Sequence, residues 1–140
     1  AAWPYRSDKA EMQRRVDRAW RLFPELEERS NERADLLSGG QQQMLALAMT
    51  LIHDPEILII DELSIGLAPA VVQRLLVIID ELKREGMTMI IVEQSLNVAL
   101  AVADRAVFLE KGRVRFEGDA QELAERDDLA RAVFLGSEGG

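Results

Sequence analysis

Ile57-Leu58-Ile59-Ile60 is an apolar run with no polar member, and residues 87–92 form a similar run interrupted only by Thr88. Runs this short and this apolar suit strands of a parallel sheet that is covered on both faces. Between them, Val71, Val72, Leu75, Leu76, Ile79 and Leu82 fall on one helical face. Pro69 is placed to open that helix and Gly86 to stop it. Strand, crossover helix and strand return parallel, so an α/β layered domain is expected, with a mostly parallel sheet flanked by helices.

The remaining segments fit around that unit. Met12, Val16, Ala19, Trp20 and Phe23 mark an amphipathic helix over residues 8–23, and Pro24 ends it or starts the next turn. Residues 25–36 are highly charged and read as a surface connection. Ser38 is placed as an N-cap, and residues 41–52 are apolar on nearly every face, as in a deeply packed helix. Residues 96–103 form an Ala- and Val-rich helix, and residues 105–110 and 114–117 flank Lys111-Gly112-Arg113 as a hairpin. Residues 119–124 and 129–135 read as short helices, and Met44, Met49, Met87 and Met89 as core filling.

The chain has 140 residues and no cysteine, which leaves room for one core and excludes disulfides and thiolate metal sites. Its formal charge of −8 is uneven: residues 1–37 carry 8 basic and 8 acidic side chains, residues 38–140 carry 9 and 17. Such a surface repels a phosphate backbone, so nucleic acid is not expected as a partner. No apolar run approaches the roughly 20 residues of a membrane span.

Two motifs carry chemistry. The first apolar strand runs into Asp61-Glu62, and adjacent carboxylates there are costly unless a cation or hydrogen bonds stabilise them. In a nucleotide site Asp61 would hold Mg²⁺, through water, while Glu62 polarises an attacking water. A strand leaving into solvent at an acidic turn is the simpler reading. Leu37, Ser38, Gly39, Gly40 and Gln41 spell LSGGQ. Small residues at a helix start let an anion approach free N–H groups, and an ordinary N-cap with two glycines is the plain alternative.

LSGGQ, followed by one apolar helix, ILIIDE and SIGLAP, resembles the ATP-binding-cassette (ABC) ATPases over nearly the whole chain. DELSIGLAP and IVEQSLNVAL are most similar to the ATPase subunits of branched-chain amino-acid uptake systems. The resemblance implies the C-terminal part of an ABC-type P-loop NTPase domain. Residues 1–52 would belong to the helical subdomain with the signature motif, and residues 53–140 to the ATPase core. It implies ATP and Mg²⁺ as cofactors, and a second ATPase subunit packed head to tail, whose ATP the signature caps. Ser64, Gly66 and Leu67 would form the loop that meets that subunit, and Glu62 and Gln94 would be the catalytic pair. Transmembrane permease subunits would be the other partners, with the chain peripheral on the inner face of the cell membrane.

Five departures qualify the resemblance. No G-x-x-x-x-G-K-[ST] occurs, so the phosphate loop is expected to precede Ala1, and this chain alone is expected to be inactive. A non-catalytic interaction fragment is the alternative function. Gln94 stands where most members have a switch histidine, and Ser95 where the subgroup has Asn. Leu63 replaces a proline after the acidic pair, which should loosen that turn, and Met49 replaces an arginine.

Overall fold

A computed structural model describes residues 9–126. Helix α1 (Lys9–Leu22) leads into a one-turn helix, α2 (Pro24–Glu27), and then a 3₁₀ turn at Ala34–Leu36. Helix α3 (Gly39–Ile52), strand β1 (Ile57–Asp61), helix α4 (Pro69–Arg84) and strand β2 (Thr88–Val92) follow. Helix α5 (Leu96–Val102), the hairpin β3 (Arg105–Glu110) and β4 (Arg113–Asp119), and α6 (Ala120–Ala124) complete it. The helix expected over residues 129–135 lies outside the described residues.

Strands β1 and β2 pair parallel, with Ile57 opposite Thr88 and Asp61 opposite Val92. This is the expected strand–helix–strand unit. The hairpin forms a separate antiparallel pair with an irregular register between Phe108 and Leu109. Helix α4 begins at Pro69 and ends where the backbone of Gly86 turns left-handed (φ 85°). The Met87 amide then reaches back to the Leu82 carbonyl at 3.0 Å, satisfying an end-of-helix acceptor.

The core draws on segments far apart in the sequence. Ala19, Leu22, Phe23 and Leu26 join Met44, Leu47 and Leu51 of α3, Leu58 and Ile60 of β1, and Leu75, Ile78, Ile79 and Leu82 of α4 in one buried cluster. Phe23 and the last four are fully enclosed.

Three expectations need correction. The strands are not covered on both faces: Leu58 and Ile60 are buried, whereas Ile57, Ile59, Ile90 and Val92 are each more than half exposed. Leu58 and Ile60 pack into the core with α3 and α4, and among the described residues nothing covers the opposite face. Residues 25–36 are not wholly a surface connection, because Pro24 starts a turn that buries Leu26. Met49 is exposed on α3 rather than core filling, since Met44, Leu47, Ala48 and Leu51 already define that helix's inner side.

Candidate functional site

The carboxyl ends of β1 and β2 bring Glu62 and Gln94 together. Glu62 follows the last strand residue, and its amide donates to the Val92 carbonyl at 2.9 Å, extending the parallel ladder by one step. Its backbone is then left-handed (φ 56°), an unfavourable conformation for a residue with a Cβ. That twist breaks the in–out alternation of the strand. The Gln94 amide nitrogen donates to Glu62 Oε1, joining the two residues assigned as a catalytic pair.

Leu63, next along, is almost completely buried. The turn after the acidic pair is therefore anchored by a core side chain. The Ser64 amide donates to Glu93 Oε1 at 2.7 Å, and its hydroxyl to Glu93 Oε2 at 3.0 Å. Ser64 thus spends its polar groups inside its own chain. Beyond it, Ile65 and Gly66 (φ 68°) are exposed at the tip, and Leu67 folds back onto the core. Sequence reasoning passed over Glu93. The signal was present: a carboxylate immediately after an apolar strand needs partners, as Asp61 and Glu62 do.

Asp61 is separate from the pair. It is exposed, lies on the bare face with Ile57 and Ile59, and its carboxylate makes no hydrogen bond or ion pair among the described residues. With Gln43, Thr50 and Ile59 it lines a cleft of about 160 Å³ between α3 and β1. A free carboxylate beside open space fits Mg²⁺, which binds through one or two carboxylates, water and phosphate oxygens. Among the described residues no three His, Cys, Asp or Glu side chains gather to cage an ion by themselves.

The LSGGQ segment forms a second cluster. Ser38 caps α3 in a capping box: its Oγ accepts from the Gln41 amide at 3.4 Å, and Gln41 Oε1 accepts from the Ser38 amide at 3.0 Å. Gln42 donates to the carbonyls of Leu37 and Ala34, fixing the chain before the cap. These bonds all close within residues 34–42, and none reaches Glu62 or Gln94. The two glycines differ. A Cβ on Gly40 would meet Val71 Cγ1 at 2.8 Å, so its missing side chain lets α3 pack against α4. A Cβ on Gly39 would meet nothing within 4 Å, so the open approach to the helix start is at Gly39 and the exposed Ser38.

Residues 5–64, which include LSGGQ and both carboxylates, match the ABC transporter family. Over those residues the chain is similar to that family. It is 48% identical over 130 residues to the high-affinity branched-chain amino acid transport ATP-binding protein BraG of Pseudomonas aeruginosa, covering 93% of this chain and 55% of that protein. It is also 39% identical over 131 residues to the probable branched-chain amino acid transport ATP-binding protein LivF of Archaeoglobus fulgidus, covering 91% of this chain and 54% of that protein. Among solved structures, CbiO1 of Clostridium perfringens, part of the ABC transporter complex CbiONQ, superposes with a TM-score of 0.79 at 28% identity. That match covers 94% of this chain and 53% of CbiO1. The chain spans about half the length of the curated relatives it matches. Among the described residues no helix is long and apolar enough to cross a membrane.

Proposed function

We propose that this chain is the signature-bearing part of an ATP-hydrolysing subunit that drives import of branched-chain amino acids or similar small polar solutes. The observation that carries the reading is the Gln94–Glu62 hydrogen bond at the strand ends, in a chain similar to the ABC transporter family over residues 5–64. The Gln94 amide holds one oxygen of Glu62, which leaves the other to orient and polarise a water for attack on a terminal phosphate. Ser38 and the helix start at Gly39 offer a hydroxyl and free N–H groups to the phosphate of a nucleotide held by a neighbouring subunit. Asp61 would hold Mg²⁺, which neutralises phosphate charge when bound. The loop of Ser64, Gly66 and Leu67 would meet that neighbour, and permease subunits in the membrane would be the coupled partners. A peripheral position on the inner face of the membrane follows from those partners.

No lysine-bearing phosphate loop occurs in these 140 residues, so the chain by itself is expected to leave ATP intact. The test uses the complete subunit. Glu62→Gln keeps the shape of the side chain and removes its basicity, so ATP should remain bound while turnover falls by about 10²–10⁴-fold. Single-turnover hydrolysis and filter binding of labelled ATP measure the two quantities, and parental turnover in the variant removes Glu62 from its role.

A further inference from the structure

We propose that Glu93 is a positioning residue of the ATPase site, clamping the Ser64 loop to the turn that presents Gln94. This rests on the ATPase reading above. The loops after β1 and β2 are joined residue by residue. The Glu62 amide bonds the Val92 carbonyl at 2.9 Å, and the Ser64 amide and hydroxyl bond Glu93 at 2.7 and 3.0 Å. The Gln94 side chain bonds Glu62. The Glu93 carboxylate also accepts from the Ser95 amide at 3.4 Å, so it fixes the backbone on both sides of Gln94.

Charge-assisted hydrogen bonds to a half-buried carboxylate are stronger and more directional than neutral ones. One side chain therefore sets two things: where the exposed Ile65–Gly66 tip stands, and how Gln94 faces Glu62. The Glu93 carboxylate bonds Ser64 and Ser95 of its own chain. It acts through Ser64 and Gln94.

The experiment compares Glu93→Ala and Glu93→Gln in the complete subunit, reading steady-state ATP hydrolysis, ATP affinity and hydrogen exchange at the Ser64 amide. In Glu93→Ala, kcat should fall about tenfold or more, ATP affinity should stay within about twofold, and the Ser64 amide should exchange about tenfold faster. Glu93→Gln keeps a carbonyl oxygen for the Ser64 amide and should recover both protection and most of the rate. Unchanged Ser64 exchange in Glu93→Ala overturns the clamp. Faster exchange with parental kcat overturns the positioning role. Equal losses of ATP affinity and rate in both variants point to general structural damage and overturn it too. A parent subunit that fails to hydrolyse ATP overturns the ATPase reading instead, and Ser64 exchange still decides whether the clamp exists.

Discussion

Gly39 and Gly40 are adjacent and identical, yet they are there for different reasons. Gly40→Ala drives a methyl into Val71, whose β-branched side chain has little rotamer freedom in a helix, and should cost about 1–3 kcal/mol. Gly39→Ala meets open space and should leave stability within about 0.5 kcal/mol. Thermal melts of the two variants separate packing from approach. Leu63→Ala is the companion case: removing a buried side chain next to Glu62 should cost about 2–5 kcal/mol. The sequence revealed the chemistry of this region more readily than its support. LSGGQ and Asp61-Glu62 stand out because polar or small residues interrupt apolar runs. Leu63 registered only as a substitution, because nothing in a one-dimensional pattern says that a turn residue points into the core.

Among the elements, α1 and α2 bury Ala19, Leu22 and Leu26 in the core and are also tied to the rest by arginines. Arg15 reaches the Ile52 carbonyl at 3.4 Å and Asp54 at 3.2 Å, Arg18 pairs with Glu85, and Arg74 binds the Leu22 carbonyl at 2.6 Å and Glu25 at 3.0 Å. Arg74→Ala should loosen α2, and faster exchange of the Leu26 and Glu27 amides with α4 unchanged would report it. Glu11 is held below the usual carboxylate range by its hydrogen bonds to Arg15 and then Arg14. A lowered folded pKa contributes stability above the unfolded value, and that contribution is lost as pH falls through the folded one. The melting temperature of Glu11→Gln should therefore depend less on pH in the acid range than that of the parent. Helix periodicity and Pro or Gly boundaries made α1, α3 and α4 readable to within two residues. Long-range ties such as Arg74 to Glu25 have no local pattern and were not readable.

For the whole molecule, the exposed sheet face dominates behaviour. Ile57, Ile59, Ile90 and Val92 make a contiguous apolar surface on paired strands, which favours association with other apolar surfaces. Ile59→Lys should reduce self-association of the 140-residue chain with less than about 0.5 kcal/mol of stability change, as sedimentation and melting can measure. In a full-length subunit that covers this face, the same substitution buries a charge and should cost more than about 2 kcal/mol. The apolar runs named these strands correctly. They could not say that one side stays bare among the residues described, because composition records what a strand would bury and not which neighbours arrive.

The reversed backbone at Glu62 also has an energetic consequence. A chain selected for shape alone would place glycine there, relieving about 1 kcal/mol of steric conflict. The structure accepts that conflict at Glu62, as it does at Asp54 and Lys111. Glu62→Gly is accordingly expected to melt no earlier than the parent while losing the acidic group.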